Sequence, residues 1–106
     1  MDNKIKNRFS LQAQVFKALA HPTRLFIINE LAHGDKCVCD LTGMIGSDIS
    51  TVSKHLSVLK IAGILTDEKQ GTQVFYKLRM QCVLSFTACV ENEIKCNAER
   101  TLGIVD

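Results

Sequence analysis

The sequence predicts a mainly α fold carrying one β-hairpin. Three observations predict it. Apolar residues recur at helical spacing through most of the chain. Proline occurs once, at Pro22, so helices are seldom interrupted. Period-two alternation is confined to a short stretch between Ile64 and Leu78. The 106 residues suffice for one domain, taken as 1–106. Aromatic residues make up 6% and tryptophan is absent, so the core is aliphatic.

The first helix runs from Asn3 to Leu19, with Ile5, Phe9, Leu11, Val15, Phe16, Ala18 and Leu19 giving it an apolar side. It stops at His21, because the residue before a proline is pushed out of the helical region. Pro22 suits the first turn of a second helix through Leu25, Phe26, Ile27, Ile28 and Leu31. That helix is apolar on most sides and is expected to be the buried centre, closed by Gly34. A third, short helix is expected from Asp35 or Lys36 to Ile45, with Asp35 as its cap. Gly46-Ser47 turns the chain, and Asp48 caps a fourth helix from Ile49 to Ala62. Ile49, Val52, Leu56 and Leu59 face inward; Ser50, Thr51, Ser53, Lys54, Ser57 and Lys60 face outward. Gly63 ends it. Strands at Ile64–Asp67 and Gln73–Leu78 flank a tip at Lys69-Gln70-Gly71-Thr72. A last helix spans Met80 to about Arg100, and Thr101 to Asp106 are expected to fray. A short helix, a glycine turn, a polar-faced helix and a hairpin make a winged helix-turn-helix.

That architecture gives the fourth helix a task. Ser50, Thr51, Ser53, Lys54 and His55 cluster near its start, where short side chains let a helix enter a major groove. Lys54 can neutralise a phosphate, and Lys69, Gln70 and Thr72 can follow the backbone or the minor groove. A solvated helix face is the plainer reading of the same residues, and the flanking turn and hairpin weigh against it. Charge is divided accordingly. Residues 47–79 carry five basic and three acidic side chains, whereas residues 80–106 carry two basic and four acidic. The last helix, 80–100, is a better protein surface than a DNA surface.

Five cysteines in a chain whose N-terminus lacks an apolar signal core suggest a cytoplasmic protein with reduced thiols. No run is long enough to span a membrane, so no membrane partner is expected. Cys37 and Cys39 fall at the start of the third helix. The first turn of a helix favours thiolate over thiol, and soft ions and metalloids prefer thiolate ligands. A buried small hydrophobe is the alternative for either cysteine alone. Two residues apart on a regular helix point roughly 200° from each other, so shared binding would distort the first turn. The distortion would strain the reading head and act as an off-switch. Cys82, Cys89 and Cys96 recur every seven residues along the last helix, about 10.5 Å apart, beside Phe86, Val83, Val90 and Ile94. They read as a packed or dimer-forming seam, or as the source of a third thiolate. No nucleophile–base pairing or phosphate loop suggests an enzyme.

Taken together, His21-Pro22-Thr23-Arg24, Cys37-Val38-Cys39-Asp40-Leu41, Val52-Ser53-Lys54-His55-Leu56 and Val74-Phe75-Tyr76-Lys77-Leu78 resemble the ArsR/SmtB winged-helix repressors. The resemblance covers about residues 11–100. It implies a homodimer built mainly from the first and last helices, bound to a pseudo-palindromic double-stranded operator without any cofactor. It also implies that Cys37 and Cys39 bind As(III) or Sb(III), whereupon DNA is released. Some arsenic sensors continue the motif with a third cysteine, where this chain has Thr42. A third ligand is then left to Cys82, Cys89, Cys96 or a small external molecule. The N-terminal cysteines of the family's cadmium/lead sensors and the terminal-helix histidines of its zinc sensors are absent. Thiol oxidation, reactive sulfur and another soft metal such as Cd(II) are the alternative signals for the same fold.

Overall fold

The computed structural model describes residues 1–102. Five helices and three short strands follow in the order α1 (Asn3–Leu19), α2 (Pro22–Leu31), β1 (Lys36–Cys37), α3 (Val38–Ile45), α4 (Ile49–Ile61), β2 (Leu65–Gln70), β3 (Gln73–Leu78) and α5 (Cys82–Thr101). The winged helix-turn-helix is present, and α1 and α2 have the bounds the sequence predicts. The fraying expected at Thr101 does not occur, since Thr101 is the last residue of α5; of that predicted tail, 103–106 lie outside the described residues.

Local chemistry sets each boundary. Asp2 caps α1 by accepting the Ile5 N–H at 2.9 Å. His21 is extended ahead of Pro22 and caps α2, its Nδ1 accepting the Thr23 N–H at 3.1 Å. Gly46 ends α3 at φ 80°, a left-handed conformation open to glycine at little penalty. Gly71 does the same at φ 66° in the two-residue hairpin loop Gly71-Thr72, which pairs Gln70 with Gln73.

Three sequence expectations change at the start of α3 and α4. The third helix begins at Val38, and its cap is Cys37 rather than Asp35. The residues before it form β1, a two-residue strand antiparallel to β3, giving the sheet order β1-β3-β2. Ile49 is 55% exposed and does not face the core. Asp48 occupies the N-cap position of α4, but its carboxylate accepts from the Ser50 hydroxyl at 2.6 Å instead of a backbone amide.

The core is aliphatic, as the composition requires. Val52, Leu56 and Leu59 of α4 are fully buried against Leu41 of α3, Ile27 and Ile28 of α2, and Ile64, Leu65 and Leu78 at the wing base. α4 is therefore fixed on its inner side by the groups that hold the domain together. Lys60 at the end of α4 grips the Asp67 carboxylate of β2 at 2.9 Å, and the Arg79 guanidinium donates to the Gly63 carbonyl at 3.2 Å. Both contacts tie the wing to α4.

α2 is not buried all round. Ile27, Ile28 and Leu31 enter the core, while Leu25 and Phe26 turn outward. There they line an open cleft of about 750 Å³ with Phe16 of α1 and Phe86, Val90 and Ile94 of α5. Leu56→Ala should lower the unfolding free energy by about 2–5 kcal/mol, whereas Ile49→Ala should change it by less than about 0.5 kcal/mol. Urea denaturation of the two variants checks this division of α4, and equal losses would contradict it.

Candidate nucleic-acid interface and thiol pair

The outward side of α4 carries Ser50, Thr51, Lys54, Ser57 and Lys60, all exposed, with Ser53 half-buried. Asp48 organises the N-terminal end of this surface. The Ser50 hydroxyl donates to the Asp48 carboxylate and, with a smaller contribution from Thr51, holds its pKa below the ordinary carboxylate value. The Ser50 hydroxyl is thus prearranged at the helix start. Lys69 and Gln70 are the last residues of β2 and Thr72 lies in the loop beyond, all three exposed at the wing tip. The tip is narrower than the sequence suggests, because pairing continues through Gln70↔Gln73.

His55 is placed differently from its neighbours. Its ring packs on that of His21 with centroids 4.4 Å apart, and its Nδ1 lies 3.4 Å from an Arg24 guanidinium nitrogen. Burial first, and then the nearby His21 and Arg24, hold its pKa below the ordinary histidine value. Among the residues expected to contact DNA, His55 is the one that packs on His21 and Arg24 at the α2 side.

The thiol pair sits at the junction of three elements. Cys37 is 4% exposed, and its extended backbone pairs with Phe75 of the wing strand β3. Its Sγ accepts the Asp40 N–H at 3.3 Å, capping α3. Cys39 lies in the first turn of α3 and is exposed. The half-turn separation expected of two helical residues does not apply, since Cys37 stands outside the helix. The two thiols, one residue apart in sequence, differ in exposure: that of Cys37 is buried and anchored, that of Cys39 is open to solvent. Among the described residues, no group of three or more His, Cys, Asp and Glu side chains could hold a metal ion. Cys82, Cys89 and Cys96 therefore do not complete such a group with Cys37 and Cys39 within one chain. Cys82 and Cys89 are exposed and Cys96 is half-buried.

The model for bacterial regulatory proteins of the arsR family matches residues 21–67, which contain the thiol pair and all of α4. The arsenical resistance operon repressor of Escherichia coli (strain K12) is 36% identical over 98 residues, covering 92% of this chain and 84% of that protein. The chain belongs to the arsR family. Within the family, a cadmium resistance regulator CadC homolog of Staphylococcus aureus is 45% identical over 67 residues, which cover 62% of this chain and 55% of that protein. The homodimeric winged helix-turn-helix DNA-binding domain of a possible ArsR-family regulator from Mycobacterium bovis, solved by NMR, superposes with a TM-score of 0.82. It is 27% identical, and the match covers 94% of this chain and 93% of that one. These relatives are transcriptional regulators rather than enzymes, and no described helix is long and apolar enough to cross a membrane.

Three features of this arsR-family chain escape sequence reasoning. β1 is too short to show a period. Arg24 gives no sign that its Nε donates to the Ala18 carbonyl at 2.6 Å while its other end meets α4. Lys60 reads as an outward α4 lysine, although it is spent on Asp67. Its spacing of seven residues from Asp67 across Gly63 is the one available signal.

Cys37→Ala should destabilise the chain by about 1 kcal/mol through loss of the α3 cap. Cys37→Ser should keep most of that stability, because its hydroxyl can accept the same amide. Thermal melts of the two variants, beside Cys39→Ala as an exposed control, check the assignment; equal melting temperatures for all three would contradict it.

Proposed function

We propose that this chain is a homodimeric repressor that binds a pseudo-palindromic operator and releases it when As(III) or Sb(III) engages Cys37 and Cys39. The observation that carries this reading is the position of Cys37, at once the cap of α3 and the ladder partner of the wing. Likeness to the E. coli arsenical resistance operon repressor over 92% of the chain supports the choice of effector.

The dimer is supported by the cleft between α1, α2 and α5, whose apolar lining is left open in a single chain. Its two-fold axis would set two α4 helices against successive major grooves, matching the symmetry of the operator. Ser50, Thr51, Ser53 and Lys54 then meet base edges and phosphates, while Lys69, Gln70 and Thr72 of the wing follow the backbone. Release begins at the thiols. The Cys37 Sγ is already committed to the Asp40 amide, and Cys39 lies open to solvent. Drawing both sulfurs to one atom weakens the α3 cap and pulls on β1. α3 supports α4 through Leu41, and β1 is bonded to the wing, so both DNA-contacting elements are disturbed together. A third thiolate comes from outside the chain, either from a cysteine of the partner subunit's last helix or from a small external thiol.

Operator fragments from upstream of the gene, titrated with the purified protein with and without arsenite, test the reading. Arsenite should weaken wild-type binding by roughly a hundredfold, a coupling of about 3 kcal/mol. Cys37→Ser and Cys39→Ser should bind DNA and lose most of that response. Retention of the full response by either variant would overturn the thiol trigger. A response to Cd(II) but not to arsenite would reassign the metal, and release only on peroxide or polysulfide treatment would make the pair an oxidation sensor. Binding should also fall steeply with salt, and Lys54→Ala should reduce the slope by about 1 per subunit.

A further inference from the structure

Arg24, in the first turn of α2, joins three helices. Its Nε donates to the Ala18 carbonyl at the end of α1, 2.6 Å away, and its Nη1 lies 3.4 Å from Nδ1 of His55 on α4. His21, the cap of α2, stacks at a tilt of 47° against His55. The protons in this cluster can be counted. His21 Nδ1 accepts the Thr23 N–H, so that nitrogen presents its lone pair to the backbone. A guanidinium has donors only, so the His55 Nδ1 facing Arg24 must also accept, and His55 is neutral. A proton added to the His55 Nδ1 removes that acceptor and places a second positive charge beside Arg24.

We propose that His21, Arg24 and His55 form a proton-operated latch that positions the recognition helix α4. With the His55 imidazole neutral, Arg24 ties α4 to the α1–α2 corner; protonation of His55 opens the tie and weakens operator binding. The proposal rests on the reading of DNA through α4. Arg24 is a positioning residue in it, since it acts through His55 and touches no nucleic acid.

The electrostatics agree in sign. His55 is perturbed by burial and by His21 and Arg24, both on the α2 side. α1 contributes the uncharged Ala18 carbonyl through Arg24, and the neighbour on α4 is Lys54. Among the described residues, the groups that perturb His55 include no carboxylate to stabilise an imidazolium. His55 is held below its ordinary value of 6.5 in the folded protein, so the fold binds fewer protons than the unfolded chain in the window below that value. The latch's contribution is complete above 6.5 and is lost as pH falls through the lowered value.

Operator affinity measured by fluorescence anisotropy from about pH 8 to about pH 5 at constant ionic strength tests the latch. Amide exchange of α4 in the DNA-free protein, over the same range, provides the second readout. Wild-type affinity should fall by roughly tenfold on acidification, with faster α4 exchange, as one charge-assisted contact is lost. His55→Gln, whose amide oxygen can accept from Arg24 without titrating, should flatten both profiles whatever its starting affinity. Affinity that rises on acidification would return His55 to a phosphate-contact role and overturn the latch, as would a His55→Gln profile equal to wild type. Absence of operator binding at every pH would instead fail the DNA reading, and the exchange profile would still decide the latch: acid-accelerated α4 exchange supports it, and unchanged exchange overturns it.

Discussion

Cys37 is held twice, and the arrangement of α3, α4 and the wing depends on that double attachment. Its backbone pairs with Phe75 of the wing, and its sulfur accepts the Asp40 amide that would otherwise stand unsatisfied at the start of α3. The first contact fixes where the wing strand lies relative to α3. The second fixes where α3 begins. From there Leu41 carries the position of α3 into the core, where Val52, Leu56 and Leu59 of α4 and Leu65 and Leu78 of the wing meet it. An interior packed this densely transmits a displacement at one edge instead of absorbing it. A cysteine that is also a structural cap is therefore well placed to convert the proposed thiol chemistry into a change at α4 and the wing.

Much of this was legible in the sequence. Pro22, Gly46 and Gly63 mark boundaries by backbone chemistry, and α1, α2 and the wing strand β3 fall where periodicity puts them. The misread positions share a cause: their environment is set by tertiary partners. Ile49 has the spacing of a core residue, but the α3–α4 turn leaves it on the outside. β1 exists because β3 offers it an edge. Asp35 is the better cap by residue type, yet strand pairing carries the chain past it and leaves the task to Cys37. His55 is different: packing and phosphate contact are both open to it in the sequence, and the fold shows it against His21 and Arg24.

The opposite side of the molecule is organised by what it leaves uncovered. Phe16, Leu25, Phe26, Phe86 and Ile94 are exposed around one cleft, and Phe16 and Phe86 meet edge to face at 5.4 Å. An apolar surface of this kind marks an interaction site on a small domain. The homodimeric state of the M. bovis neighbour is consistent with a second copy as its occupant. The corner that carries Arg24 adjoins this cleft through Leu19, Ala20 and Leu25, so the uncovered apolar side and α4 meet at one place.

The central claim is that engagement of Cys37 disturbs α3 and the wing together. Hydrogen exchange of the full-length protein, with and without arsenite, tests it most directly. The account requires faster exchange at the Asp40 amide and across the β1–β3 pairing, with Leu56 and its neighbours in the core unchanged. Arsenite bound to the protein and operator released, with exchange at Asp40 and β3 unaltered, would contradict it.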